Sequence, residues 1–146
     1  MYALNKRARY DYDILESYEA GIELFGHEVK SVREGHMNLK GAFVTIRSGQ
    51  LWLKNAYIAP YSKSGALPSY NPERVRRLLV HKRQIRHLSA KLAQKGLTLV
   101  PLKVYNSNNR VKLEFALVKG KKKHDKRQSI KERDVKRKLQ RTLKQY

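Results

Sequence analysis

The chain has 146 residues, with 33 Lys or Arg against 12 Asp or Glu and a formal net charge of +21. That length suits one domain with an appendage, and a charge of this size and sign favours a polyanionic partner, nucleic acid first. The absence of cysteine excludes disulfides and thiolate metal sites and fits a cytoplasmic setting, while no apolar stretch is long enough for a bilayer span or a secretory segment.

Met1 to Tyr10 is short and basic. Asn5, Lys6, Arg7 and Arg9 suit either a flexible arm or a segment lying along a phosphate backbone. Tyr12 to Leu24 reads as a first, bent strand, since Gly21 and Gly26 argue against one long helix. Within it Glu19 is an acid in a very basic chain, and two readings stand: an intramolecular ion pair, or an acceptor for base amino and imino groups. Gly26 to Gly35 predicts a short helix with Val29 and Val32 inward, Lys30 and Arg33 on a shared face able to grip phosphate, and Gly35 as its stop.

An antiparallel pattern follows. Ala42, Val44 and Ile46 alternate with Phe43, Thr45 and Arg47, Ser48-Gly49 marks a turn, and Leu51 and Leu53 alternate with Trp52 and Lys54, which predicts a hairpin. Trp52 is read as packing in preference to stacking on a base. Residues 62–72 form a loop, and 81–94 a helix burying Ile85, Leu88 and Leu92, with Ser89 as a further candidate for that stripe. His81 and His87 belong to its start or its wet surface. Leu97 to Tyr105 is a strand in which Pro101 implies an edge position or a bulge. Asn106 to Asn109 makes a turn, and Arg110 to Val118 returns with Val111, Leu113, Phe115 and Leu117 on one face and Lys112, Glu114 and Ala116 on the other.

The fold expected is mainly β: a small oligonucleotide-binding-like closed barrel with flanking short helices and a basic C-terminal tail. A mixed sheet of the ribosomal-protein kind would give a similar pattern. The barrel domain is expected over 1–118 and the tail over 119–146. The tail holds 13 Lys or Arg against 3 Asp or Glu, a density that favours binding over compact folding. Within it Ser129 and Glu132 have capping-box spacing, and Val135, Leu139 and Leu143 recur every four residues, which predicts a helix from about residue 130 once a partner is bound.

Catalytic patterns are missing. No phosphate-binding glycine loop, HExxH or cysteine nucleophile occurs, and His124-Asp125 has no serine placed by a motif to complete a relay. The chain is expected to be a binding protein without cofactor or metal. Its residues alone favour a generic structured-RNA-binding or ribosomal structural protein.

Six blocks in order, LNKRARYDYDI, YEAGIELFGHEVKSVREG, YIAPY, RRLLVHKRQI, KGLTLVPLKVY and VKGKKKHDKRQSIKER, resemble the SmpB (small protein B) family from Leu4 to about Arg133. The resemblance implies an oligonucleotide-binding-like barrel and a tail that is disordered when free. It implies a non-enzymatic role in trans-translation: binding the tRNA-like domain of alanyl-tmRNA, delivering it with elongation factor Tu and GTP to the A site of a stalled ribosome, and sensing the empty mRNA channel. Glu19 and Leu79 match family positions in tmRNA contact, and His81 stands where some members have asparagine. Asn5, Lys6, Arg7 and Lys30 complete the expected RNA-binding set. Lys119, Lys121, Lys122, Lys123, His124, Asp125, Lys126, Arg127, Ile130, Lys131 and Arg133 are expected to meet small-subunit ribosomal RNA at the decoding centre and mRNA channel.

Overall fold

The structure, a computed structural model, describes residues 1–65 and 67–120. Its elements are β1 (Ala3–Leu4), α1 (Ala8–Asp11), β2 (Tyr12–Ile22), α2 (Gly26–Arg33), β3 (Met37–Asn38), β4 (Phe43–Arg47), β5 (Gln50–Lys54), β6 (Tyr57–Ile58), β7 (Arg76–Leu79), α3 (Lys82–Leu92), β8 (Leu97–Ser107) and β9 (Arg110–Gly120). Six strands close a ring in the order β8-β4-β5-β7-β2-β9 and back to β8, all antiparallel. Two seams are narrow. β4 meets β8 through the single pair Val44–Leu99, and β2 meets β7 only at Gly21–Leu79 and Ile22–Leu78. The ring is therefore a closed sheet with two weak joints, less regular than the barrel expected.

The alternating hydrophobics fill its interior. Leu51, Leu53, Leu78, Leu99, Leu113, Phe115 and Leu117 are fully buried, each the inward member of a period-two pattern. The turns follow from backbone sign. Ser48 and Gly49 have φ of 53° and 72°, and Asn108 and Asn109 have 52° and 62°, so both hairpins close through two residues in the left-handed region, as tight hairpins require. Pro101 is accommodated by a bulge, the register shifting between Pro101 and Lys103. A second bulge in β2 between Ile14 and Glu16 leaves Leu15 turned outward and half exposed.

Several expectations change here. The N-terminal segment is not a free arm: β1 pairs with β8, and Ala8 of α1 is buried with Val100, Leu102, Ala116 and Val118 in a second cluster outside the ring. Ala116, on the face it shares with Lys112 and Glu114, is buried for that reason. Trp52 is half-buried on the outer face between its cross-strand neighbours Thr45 and Arg77, its indole N–H donating to the Arg47 carbonyl at 3.2 Å. It is not a core residue, because Leu51 and Leu53 occupy the inward phase of β5. Ser89 is exposed, since Ile85 and Leu88 already span the buried stripe of α3. β9 runs to Gly120, so Lys119 stands in a strand, paired with Asp13 and Leu97. Lys121, Lys122, Lys123, His124, Asp125, Lys126, Arg127, Ile130, Lys131 and Arg133 lie outside the described residues.

Beneath the ring wall lies one buried ionic network. Glu28, at the third position of α2, reaches back to accept the Phe25 N–H at 2.9 Å. It also accepts Arg76 Nε at 3.0 Å and Nη2 at 2.7 Å, the Tyr70 hydroxyl at 3.0 Å, and Arg74. Arg76 is wholly buried and also donates to the carbonyls of Ala56 and Pro72 and to the Tyr70 hydroxyl oxygen. Burial pushes the Glu28 carboxyl up; hydrogen bonds from Arg74, Phe25 and Arg76 outweigh that and hold it below its ordinary value. Tyr70 is pushed up to about 12 by burial and by Glu28. The network ties α2 and the residue 70–76 loop to β7, and so fixes the strand that carries Leu79.

Candidate nucleic-acid interface

Pairing and the period of two place Glu19, Gly21, Leu79, Lys112, Glu114, Lys103 and Tyr105 on one outer face. Gly21 is opposite both Leu79 and Lys112, Glu19 opposite Glu114, Lys103 opposite Glu114, and Tyr105 opposite Lys112. Leu79 is 47 % exposed, an apolar side chain left in solvent at a sheet seam. A Cβ on Gly21 would sit 3.3 Å from the Leu79 Cβ, so the missing side chain is what lets Leu79 lie close over β2. Beside it opens a shallow cavity of about 410 Å³ with Leu24 and Val29 among its walls and Arg33, Arg110 and Lys112 as its cations. An apolar floor with a cationic rim matches what an unstacked base and its phosphates need. Arg33 donates to the Asn109 carbonyl at 2.8 Å, which joins α2 to the β8–β9 turn.

Glu19 is exposed and has no cationic partner among the described residues. Its carboxylate accepts the Tyr105 hydroxyl instead. The nearby cation, Lys103, pairs with Glu114 at 3.3 Å. Burial first, then Glu19, raises the Tyr105 phenol well above its usual value, so it remains a donor. His81 is the exposed residue preceding α3, two positions beyond Leu79.

The other expected residues are not gathered here. The exposed Lys30 carries its ammonium 5.7 Å from the centre of the Tyr61 ring. Asn5 holds the arm in place, its amide donating to the Pro101 carbonyl at 2.8 Å and its N–H bonding to Leu102. Arg7 pairs with Asp11 at 3.5 Å and lies over Tyr10. Lys6, Arg7, Lys40 and Phe43 line a separate cavity of about 950 Å³ that includes Tyr12, at the opposite end of β2 from Glu19. Sequence reasoning missed Gly21, Tyr105 and Lys112. Lys112 was legible as an outward residue, whereas the facing of Tyr105 depends on the bulge at Pro101.

A closed antiparallel ring with a basic surface and an apolar, cation-rimmed patch defines a nucleic-acid-binding module. Among the described residues no helix is long and apolar enough to cross a membrane. The chain matches the SmpB protein family over residues 2–145 and belongs to that family. It is 51% identical over 142 residues to an SsrA-binding protein of Trichodesmium erythraeum (strain IMS101), covering 97% of this chain and 91% of that one. It is 54% identical to one of Sulfurihydrogenibium sp. (strain YO3AOP1), covering 97% and 93%. Among solved structures, a chain from "tmRNA-SmpB: a journey to the center of the bacterial ribosome" superposes with a TM-score of 0.67 at 50% identity, covering 82% of this chain and 84% of that one.

Proposed function

We propose that this protein binds the tRNA-like domain of tmRNA through the Glu19–Leu79–His81 face and brings it to stalled ribosomes for trans-translation, without catalysis of its own. The observation that carries this reading is the likeness, along nearly the whole chain, to relatives named SsrA-binding proteins. The face adds a physical reason: Leu79 offers apolar contact, Arg33, Arg110 and Lys112 offer phosphate contacts, and Glu19 offers an acceptor for base donors. On this reading delivery to the A site involves elongation factor Tu and GTP, and the setting is cytoplasmic. The basic segment beyond Gly120 contributes the small-subunit contacts at the decoding centre and mRNA channel, with His124, Asp125, Lys126 and Arg127 at the entrance and Ile130, Lys131 and Arg133 further in.

The test is Glu19→Ala in the full chain, with binding of the tRNA-like domain measured at fixed salt against excess unrelated structured RNA. Removing an acid raises the net positive charge, so electrostatics alone predicts tighter binding. Weaker and less selective binding is expected. Unchanged or tighter binding overturns the assignment of this face, and a protein that retains all structured RNAs equally is a generic RNA binder.

A further inference from the structure

We infer that Tyr105 is a positioning residue for RNA recognition: its hydroxyl holds one oxygen of Glu19 so that the other, still carrying charge, faces base amino, imino or ribose hydroxyl donors. The inference rests on the reading of Glu19 given above and adds what makes an isolated carboxylate useful in that place.

Three strands meet in register here. Glu19 on β2 stands directly opposite Glu114 on β9, and Glu114 opposite Lys103 on β8. Two carboxylates facing each other across a strand pair repel, and the arrangement needs a remedy. The one cation in line, Lys103, goes to Glu114 at 3.3 Å. Glu19 receives a neutral partner instead: Tyr105, two residues along β8 from Lys103, extends across β9 to donate its hydroxyl to Glu19 Oε2. Lys103 also lies 5.5 Å from the centre of the Tyr105 ring, which steadies the phenol over the strand.

The choice of donor matters chemically. A lysine on Glu19 would cancel its charge and occupy it with a competitor for any incoming donor. A phenol fixes the rotamer and leaves the charge in place. Oε1 has no partner among the described residues and both its lone pairs remain available. Such a group repels phosphate and accepts N–H and O–H donors, so it discriminates between the backbone and the functional edges of an RNA. Without the Tyr105 hydroxyl, Glu19 must be ordered at the moment of binding.

The experiment uses four full-length proteins: the natural chain, Tyr105→Phe, Glu19→Ala and the double variant. The probe is the tRNA-like domain transcript, with affinity measured over a range of salt and the melting temperature of each protein recorded. Phenylalanine keeps the ring and removes only the hydroxyl. Tyr105→Phe is expected to weaken binding roughly 2- to 10-fold, the scale set by ordering one side chain. The slope of log affinity against log salt should not change, since no phosphate contact is lost. In the Glu19→Ala background the same substitution should change affinity by nothing measurable. Natural affinity for Tyr105→Phe overturns the inference, as does an equal loss in both backgrounds, which would mean that the hydroxyl touches RNA or acts through the fold. If Glu19→Ala binds as well as the natural protein, the reading of the face fails and this inference with it. If Glu19→Ala is weak and Tyr105→Phe is not, only the inference fails.

Discussion

Replacing Glu28 with Gln isolates the buried network that holds β7. The substitution keeps volume and some hydrogen bonding, but removes the negative charge from beneath two guanidinium groups. Arg76 is wholly buried, with its Nη2 2.7 Å from Glu28 Oε2, so it cannot turn to solvent. Breaking one side of a buried ion pair costs about 3–5 kcal/mol. Against a total stability of about 5–15 kcal/mol that is a large fraction. At about 4 °C per kcal/mol for a domain of this size, the melting temperature should fall by roughly 12–20 °C. Removing the stranded charge as well, in Glu28→Gln with Arg76→Met, should cost clearly less than the sum of the single changes. The two carbonyls that Arg76 serves, Ala56 and Pro72, keep the double variant below the natural protein. The pH dependence has a definite sign. Because the folded-state carboxyl is held below its ordinary value, its contribution is full above the unfolded value of about 4.3 and is lost as pH falls through the folded one. The gap between natural and variant proteins should therefore be widest at neutral pH and narrow below about pH 4. Calorimetry or urea titration over pH 3–7 reads both effects. A loss under about 1 kcal/mol, or strictly additive single and double losses, would refute the view that charge pairing carries this site.

Leu79→Ala should leave the fold intact, because the side chain is 47 % exposed, but should weaken RNA binding by about 1 kcal/mol, roughly five-fold, if half a leucine is buried against RNA. Gly21→Ala places a Cβ 3.3 Å from the Leu79 Cβ, an atom fixed to the β7 backbone, so the strand must give by a few tenths of an ångström at the narrow β2–β7 seam. Melting temperature should fall modestly, and RNA affinity should fall less than for Leu79→Ala. Leu139→Pro keeps every charge of the basic tail while opposing a helix there by about 3 kcal/mol. On our reading of the tail it should reduce peptide tagging on stalled ribosomes and leave binding of the tRNA-like domain unchanged; normal tagging would mean that the tail acts by charge alone.

The inner wall of the ring was legible because its residues obey one period without interruption: Val111, Leu113, Phe115 and Leu117 alternate and are all buried. What escaped were the places where that period breaks. Leu15 and Leu102 are the extra residues of two bulges, and each changes which side chains face outward beyond it. Tyr105 reaches Glu19 only because of the bulge at Leu102. The docked arm did leave a signal. Phe115, Ala116, Leu117 and Val118 are apolar in succession, and a strand that is apolar on both faces requires cover on both. That cover is Ala8 and its neighbours, in a segment whose basic residues drew attention to phosphate instead. The two-residue strands β1, β3 and β6 are too short to show any period. Glu19 stood out as an acid in a very basic chain, but the residues alone left both its readings open, ion pair or acceptor for base donors, since either use suits an exposed strand position.

β2 measures the distance between the parts of this molecule. Tyr12 at one end pairs with Gly120, where the tail begins, and Gly21 near the other pairs with Leu79 and Lys112. Nine residue steps at about 3.3 Å each separate the two ends by about 30 Å. The screening length at physiological salt is about 8 Å. On the proposed reading, phosphates held by Arg33, Arg110 and Lys112 would exert almost no field at the root of the tail, and neutralising one end would leave the other free to bind a second polyanion. What the strand transmits is position. Its pairing with β9 runs from Tyr12–Gly120 to Gly21–Lys112, with one bulge, so an RNA seated on the Leu79 face, as proposed, would be set at a fixed distance and angle from the point where the basic segment emerges. On the proposed reading, β2 is a spacer between the Leu79 face and the root of the basic segment, and two RNAs would be engaged independently in charge and jointly in geometry.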